Sequence, residues 1–299
     1  MVRRRPPHIQ FGNWSLVRWR SGEYLCVGND YREALTVLLG WHHEDDVVRI
    51  FRTFLTRYAV VLDIGANIGL YAAVAGTSIG PRGRVYAFEG NPLAYAALQR
   101  TLWANELFES PRVVAANLLV SDRCGRGTLY YASDILVGGT MSDVPLIGGA
   151  RQSVQVDMTT IDAFLPADIV VDLVKIDVEG HEPMVLRGME QVIERSPKIR
   201  IILEFFDGML EHTLKSADFV SYIRGLGFHI CRCVDGFKLR LVPPGEAITG
   251  FNYLLLTRTP DADIATIEKR RRFPPIRFKR WLFRHTPDWH RLRRIWDQY

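Results

Sequence analysis

The fold is decided by residues 60–69, which read Val60-Val61-Leu62-Asp63-Ile64-Gly65-Ala66-Asn67-Ile68-Gly69. The first five are mostly β-branched or aliphatic, which is typical of a buried strand. Gly65 and Gly69 permit a tight turn, and the Ala-rich stretch at 70–75 is typical of a helix. The segment is therefore predicted to form a strand, a glycine turn and a helix whose free N–H groups face a ligand.

Strands and helices alternate downstream of this turn. Further strands are predicted at residues 84–88, 113–120, 173–176 and 199–203, with helices at 92–105, 182–195 and 217–226. Such alternation predicts a mostly parallel sheet covered on both faces. Two closing strands, at 228–234 and 252–257, have no helix between them, which predicts an antiparallel last strand. The expected fold class is α/β, with a Rossmann-like, seven-stranded, mostly parallel sheet.

Three regions are predicted along the chain. They are an N-terminal extension at 1–58, a main domain at 59–259 with an insertion at about 127–157, and a helical tail at 260–299. The extension is predicted to hold a hairpin, formed by residues 14–19 and 23–27, and then a helix over 33–58. The insertion is expected to form extended hairpins.

The net charge of +5 is unevenly distributed. Residues 269–299 carry 11 Lys and Arg against 2 acids, whereas the rest of the chain carries 27 basic and 31 acidic residues. Trp289, Leu292, Ile295 and Trp296 follow helical spacing in this basic tail. We expect the tail to dock on the domain or on a second copy of the chain, or to contact an anionic membrane surface. Nucleic acid is the least favoured partner, because the body is mildly acidic.

The composition gives an expectation about location. No apolar run approaches the ~18 residues of a membrane span, and no apolar segment of a secretory signal follows the N-terminal arginines. The four cysteines are too scattered for a disulfide framework. We expect a cytoplasmic protein, with a location at the membrane periphery as the alternative.

The glycine turn carries chemical information. A dinucleotide-binding turn requires G-x-G-x-x-G, but Asn67 replaces the second glycine and Leu70 the third. Asp63, just before the turn, would repel a pyrophosphate but suits a cationic amino group such as that of S-adenosylmethionine. This pattern disfavours a nicotinamide dehydrogenase and predicts that Asp63, Gly65, Asn67 and Gly69 bind the cofactor. A structural turn capped by the aspartate is the alternative.

Polar residues also follow the next two strands. Glu89 is positioned to accept hydrogen bonds from both ribose hydroxyls, and Gly90 and Asn91 continue its loop. Ser121 and Asp122 are predicted to bind the adenine edge, with a simple Ser or Asx turn as the alternative.

Four candidate catalytic residues follow the fourth and fifth strands of the sheet. Asp177 emerges directly from an apolar strand and is expected to face the methyl donor, so it is also a cofactor-binding candidate. Glu179 and Glu204 are expected in the same crevice, because ligands bind at the carboxyl ends of parallel strands. His181 is a candidate base, since imidazole titrates near neutral pH. A structural role is the alternative for His181 and for Glu204.

The chain resembles the FkbM-type methyltransferases. The resemblance rests on the segments Val61–Gly69, Ala87–Pro92, Ser121-Asp122, Thr160–Asp162 and Lys175–Glu182. It covers about residues 40–230, and Gly90 stands where the family usually has proline. The resemblance implies the class I methyltransferase fold, S-adenosylmethionine as the donor and, commonly, O-methylation of sugars or other hydroxylated small molecules.

This resemblance implies an in-line displacement that the protein assists by positioning the acceptor oxygen. A sugar hydroxyl needs a base, for which His181, Asp177 and Glu179 are candidates, or a metal. Acid-rich crevices without metal are commoner, so no metal is predicted. Two alternatives remain open at this point: a nucleic-acid methyltransferase, and a binding module that keeps the fold without activity.

Overall fold

The computed structural model describes residues 8–19, 22–30, 44–133, 139–141 and 150–272. The start of the helix predicted at 33–58, part of the insertion and the tail beyond residue 272 lie outside the described residues. The strands are β1 (His8–Phe11), β2 (Trp14–Arg18), β3 (Tyr24–Gly28), β4 (Val60–Ile64), β5 (Arg84–Phe88), β6 (Val113–Ala116), β7 (Leu119–Val120), β8 (Gly125–Ala132), β9 (Arg151–Thr159), β10 (Leu173–Ile176), β11 (Arg200–Phe206), β12 (His229–Val234), β13 (Lys238–Leu241) and β14 (Phe251–Thr257). The helices are α1 (Asp45–Phe54), α2 (Leu70–Ser78), α3 (Pro92–Ala104), α4 (Ile161–Phe164), α5 (Glu182–Arg187), α6 (Glu190–Arg195), α7 (Asp207–Leu210), α8 (Ser216–Gly225) and α9 (Pro260–Arg272).

The main sheet has, within the described residues, eight strands in the order β13-β12-β14-β11-β10-β4-β5-β6. Strands β4, β5, β6, β10 and β11 are parallel, and β14 runs antiparallel to both of its neighbours. The predicted class I methyltransferase fold is thus confirmed. Strand β13 was not predicted; it pairs with β12 after a turn in which Gly236 and Phe237 have φ of 78° and 57°.

Helices cover both faces of this sheet, as the strand periodicity requires. In β4, Val61 packs in one core cluster, and Leu62 and Ile64 pack in the other. The first cluster contains buried residues of α1, α2 and α3. The second contains those of α5, α6 and α8. The carboxyl ends of the parallel strands are therefore left open between two helical layers.

The N-terminal strands form a separate antiparallel sheet, β1-β2-β3, on helix α3. The Cys26 amide donates to Thr101 Oγ1 at 2.9 Å, and Asn105 Nδ2 donates to the Tyr24 carbonyl at 2.7 Å. The predicted hairpin is confirmed, and β1 adds a third strand. Val17 of β2 and the β3 residues Leu25 and Val27 pack against Ile68 and Leu70, so this sheet lies over the glycine turn.

Two predicted elements are interrupted in the structure. The strand predicted at 113–120 divides into β6, in the main sheet, and β7, which pairs with β9 in the insertion. The prediction of one helix at 182–195 is wrong, because the helix breaks at Gly188 into α5 and α6. The Gly188 carbonyl accepts from the Asp162 amide, and the Asp162 carboxylate accepts from the Val192 amide at 2.8 Å. Asp162 thus ends one helix and caps the next.

None of the helices in the described ranges has the length and apolar content needed to span a bilayer. The domain boundaries after residues 58 and 259 stay a prediction. Helix α9 begins the predicted tail and is anchored by the buried Asp263. The Asp263 carboxylate accepts two hydrogen bonds from Arg200 Nε and one from Arg200 Nη2.

Candidate active site

The carboxyl ends of β4, β5, β10 and β11 open onto a cavity of about 570 Å³, a volume suited to a small-molecule ligand. Most of the predicted site residues line it: Gly65, Asn67, Glu89, Gly90, Asn91, Asp177, Glu179, His181 and Glu204. Asp63, Gly69, Ser121 and Asp122 do not line the cavity. The structure thus brings most of the predicted site residues together around one cavity and places these four outside its lining.

The glycine turn is packed tightly against the end of β10. Gly65 has φ of +79°, and a Cβ built on it would lie 1.8 Å from the Asp177 carbonyl oxygen. The Gly65 and Ala66 amides both donate to the Phe88 carbonyl, at 3.0 and 2.9 Å. Because only glycine fits this conformation and contact, the turn has a fixed position between β5 and β10.

Asp63 is a buried carboxylate beneath this turn. It is 1% exposed, and no side chain among the described residues hydrogen-bonds to its carboxylate. Burial raises the pKa of Asp63 to about 7, although the nearby Lys175 ammonium acts in the opposite direction. A buried carboxylate that is only partly compensated costs free energy in the folded chain, so this position favours a cationic ligand.

Glu89 joins two loops of the cavity wall. Its carboxylate accepts from the Asn67 amide and from the Asn91 amide, both at 2.7 Å, and burial raises the pKa of Glu89 to about 7. Asn67 Oδ1 and Asn91 Nδ2 are buried atoms without a hydrogen-bond partner among the described residues. The wall thus offers an acidic group, a free acceptor and a free donor, which fit the polar groups of S-adenosylmethionine.

An apolar wall lies beside Glu89. Phe88, Leu118, Leu119 and Val120 line this part of the cavity. Such a surface fits the adenine ring, and the polar groups next to it fit the ribose. Ser121, predicted to bind the adenine edge, is fully buried and instead contacts His181.

Lys175 lines the floor of the cavity, and no role was predicted for it from the sequence. Its side chain is 1% exposed, and its ammonium donates to Asp177 Oδ2 at 2.7 Å. Burial alone would lower the pKa of Lys175, but Asp177, Glu44 and Glu204 together raise it well above its usual value. The lysine is therefore charged, and a lysine within an apolar strand was the signal that such partners exist.

Three further residues of this cluster come from distant parts of the chain. Tyr71 Oη donates to Glu44 Oε2 at 2.6 Å, and the side chains of Tyr253 and Glu44 also form a hydrogen bond. Both tyrosine rings contact the Lys175 ammonium, at 5.1 and 5.3 Å from their centroids. Burial raises the pKa of Glu44 and of both tyrosines. No sequence motif marked these three residues, because each looks like an ordinary surface or core position.

Asp177 and Glu204 form a carboxyl pair in the cavity wall. Burial opposes ionisation of Asp177, but Lys175 and the hydrogen bond with Glu204 hold the pKa of Asp177 below its usual value. Burial and the neighbouring Asp177 charge raise the pKa of Glu204. The pair therefore holds one proton, with Asp177 as the ionised member. In the described parts of the chain, no group of three or more His, Cys, Asp and Glu side chains is arranged to hold a metal ion.

His181 is held by Ser121. The two side chains are 2.9 Å apart, and Ser121 Oγ donates to Asp122 Oδ1 at 3.1 Å. Ser121 therefore accepts from His181 Nε2, which leaves Nδ1 as the unprotonated nitrogen. Burial lowers the pKa of His181 to about 4, so the imidazole is neutral at pH 7. Asp122 thus orients this serine, and its predicted contact with the adenine edge stays a prediction.

The sheet order, the glycine turn and the acid-lined cavity define a class I methyltransferase. Its methyl donor is S-adenosylmethionine. The Methyltransferase FkbM domain matches residues 63–230, which is more than half of the sequence. The chain belongs to the FkbM methyltransferase family.

One similar protein is the hexuronic acid methyltransferase AglP of Haloferax volcanii, which is 27% identical over 151 residues. The match covers 50% of this chain and 58% of AglP, so the chain spans little more than half the length of that relative. Among solved structures, a precorrin-6y C5,15-methyltransferase from Geobacter metallireducens is 16% identical, with a TM-score of 0.39 over 72% of this chain and 87% of that one. An O-methyltransferase from Bacillus cereus in complex with SAH is 11% identical, with a TM-score of 0.39 over 71% and 78%.

Proposed function

We propose that this methyltransferase acts on oxygen, transferring the methyl group to a hydroxyl of a sugar, a glycolipid precursor or another hydroxylated small molecule. The observation that carries the proposal is the Asp177 carboxylate in the cavity wall, beside the glycine turn and 2.7 Å from the Lys175 ammonium. A hydroxyl is a poor nucleophile at neutral pH, so O-methylation needs such a proton acceptor. The sugar acceptor is supported by the name of the AglP relative, which aligns with half of the chain.

The donor is proposed to lie between the glycine turn and Glu89. Glu89 would accept hydrogen bonds from the ribose, and the apolar wall at 118–120 would cover the adenine. Asp63 would add an attractive charge from below. When bound, S-adenosylmethionine supplies a methyl group activated by a positively charged sulfur. The cavity walls therefore need only to orient the acceptor oxygen in line with that methyl group.

Asp177 is proposed to accept the acceptor's proton. Methylation replaces the O–H bond with an O–C bond, so one proton must leave the hydroxyl. The Lys175 ammonium keeps Asp177 ionised until that moment, and Glu204 holds its orientation through their shared proton. After transfer the proton passes to water through the open side of Asp177, whose side chain is 23% exposed.

Glu179 and His181 are the alternative bases, because both line the same cavity. The low pKa of His181, about 4, makes it a weak base, although its free Nδ1 suits it to orient a hydroxyl. We therefore assign His181 a positioning role and keep Asp177 as the proposed base. The proposed contact of the basic tail with a membrane surface or a second copy is separate from this chemistry.

Incubating a cell extract with the protein and labelled S-adenosylmethionine tests the proposal. Sugar, lipid and RNA fractions are then counted, with Asp177→Asn as the matched control. We expect label in carbohydrate or glycolipid, in an ether linkage stable to mild base, and none with the control. Label confined to RNA, or base-labile label in carboxyl esters, would contradict it.

A further inference from the structure

Two exposed phenylalanines lie together at the mouth of the cavity. Phe251 lines the cavity and is 56% exposed, and Phe206 is 42% exposed. Their ring centroids are 6.4 Å apart, and the planes meet at 60°. Large apolar side chains that are exposed next to a ligand cavity commonly mark a binding surface. We propose that Phe251, supported by Phe206, is the acceptor subsite and stacks on an uncharged pyranose ring; this inference rests on the proposed function.

The fold holds these rings in place. Phe206 and Phe251 are directly opposite each other in the antiparallel pair β11–β14. The Asp207 carboxylate accepts from the Gly208 amide at 2.8 Å and from the Gly250 amide at 2.9 Å, which ties the end of one strand to the start of the other. Since the backbone on both sides is fixed, the aromatic surface is preorganised and loses little entropy on binding.

The surroundings favour a sugar over a purely apolar ligand. The Phe251 ring lies 5.2 Å from Tyr253, which pairs in register with Glu204. The aromatic surface therefore continues into the carboxyl pair of Asp177 and Glu204. A pyranose has the matching character, because its C–H face packs on an aromatic ring while its hydroxyls reach polar groups at the edge.

Charge indicates that the sugar is uncharged. The cavity wall carries four acidic residues: Glu44, Asp177, Glu179 and Glu204. The Lys175 ammonium in the same wall is already paired with Asp177. A carboxylate on the acceptor would be repelled by the ionised Asp177 and would compete with it for the Lys175 ammonium. The expected acceptor thus differs from a hexuronic acid, the substrate class in the name of the AglP relative.

Binding of a panel of methyl glycosides tests the subsite. The panel comprises the neutral methyl glucoside, galactoside, mannoside and rhamnoside, together with methyl glucuronide. Saturation-transfer NMR reports which sugar protons contact the protein. S-adenosylhomocysteine, the demethylated donor, is present in each sample. We expect the C–H protons of one pyranose face to receive most saturation, and the best neutral glycoside to bind more tightly than the glucuronide.

Three variants complete the test. Phe251→Ala should weaken binding of the best neutral glycoside, and raise its KM, by about tenfold. Phe251→Trp keeps an aromatic ring at this position, so its affinity and KM should equal those of the unsubstituted protein. Phe108→Ala is the control, since Phe108 is 44% exposed but does not line the cavity. Donor affinity, measured by calorimetry, should be equal in all three.

Two results would overturn the subsite: glycoside binding unchanged in Phe251→Ala, or tighter binding of the glucuronide than of every neutral glycoside. If labelled methyl still enters carbohydrate in either case, only the subsite fails. If labelled methyl never enters carbohydrate, the proposed function fails with it.

Discussion

The Lys175 ammonium lies 2.7 Å from the Asp177 carboxylate, and both residues line the cavity in which the methyl acceptor is proposed to bind. The lysine is buried in strand β10, while Asp177 follows the strand and reaches the open edge. This ion pair connects the interior of the sheet to the chemistry at its edge. It keeps one member of a crowded acidic cluster ionised, which is the condition for Asp177 to act as a base.

Replacing Lys175 with methionine should separate these effects. Without the ammonium, the pKa values of Asp177 and Asp63 should rise, and the variant should lose about 3–5 kcal/mol of stability because buried carboxylates remain uncompensated. Turnover should fall at least about tenfold at neutral pH and recover partly as pH rises. Urea unfolding and pH–rate profiles measure both effects. Lys198→Met is the control, since Lys198 is exposed; an unchanged profile in Lys175→Met would contradict the role of the pair.

Replacing Asp63 with asparagine should have opposite effects on stability and on donor binding. The pKa of Asp63 is raised from 3.8 to about 7, so the folded, ligand-free chain loses stability as pH rises through that interval. Asp63→Asn should reduce this loss, which unfolding at about pH 5 and pH 8 would reveal. Donor affinity should nevertheless fall roughly ten- to a hundredfold, because an attractive charge is removed. Calorimetry showing undiminished affinity would count against the assignment.

His181 should affect turnover without affecting donor binding. Its pKa is lowered to about 4, below the 6.5 of a free imidazole, so its contribution to stability is present above 6.5 and is lost as pH falls towards 4. His181→Ala should lower kcat about ten- to a hundredfold and remove this acid-side loss of stability. His229→Ala, at an exposed position, is the control. An unchanged kcat in His181→Ala would remove the histidine from the mechanism.

Alanine at two glycines should have opposite effects. Gly65→Ala places a Cβ 1.8 Å from a backbone oxygen at a φ of +79°, so it should cost several kcal/mol, about 1–2 from the left-handed conformation alone, and abolish donor binding. Gly225 ends helix α8 with open space around its Cα. Gly225→Ala should therefore leave activity unchanged and raise stability by up to about 1 kcal/mol. Thermal unfolding measures both, and a Gly65→Ala protein with normal stability would refute the packing described here.

The sequence predicted the strands of the sheet well, because buried strands such as β4, β5 and β10 are apolar and end at turn residues. It missed β13, although Asp235-Gly236 is a hairpin signal, since the strand after it has only four residues. It also predicted one helix where Asp162 produces two. That break depends on a contact between residues about thirty positions apart, which local periodicity does not contain.

The site was predicted where motifs follow strands, and missed where it depends on tertiary structure. Gly65, Glu89 and Asp177 line the cavity as expected from the carboxyl ends of parallel strands. Glu44, Tyr71 and Tyr253 meet at Lys175 only because helix α2 and the antiparallel strand β14 pack there. Ser121 and Asp122 were placed at the correct strand end, but Ser121 contacts His181 instead of lining the cavity.

The central claim is that the glycine turn, with Asp63 below it and Glu89 beside it, binds a cationic nucleoside. Calorimetric titration of the purified protein with S-adenosylmethionine and, separately, with NADH tests this most directly. We predict micromolar binding of S-adenosylmethionine, release of protons near pH 7 as Asp63 and Glu89 ionise, and no binding of NADH. Absence of S-adenosylmethionine binding, or tighter binding of NADH, would contradict the account.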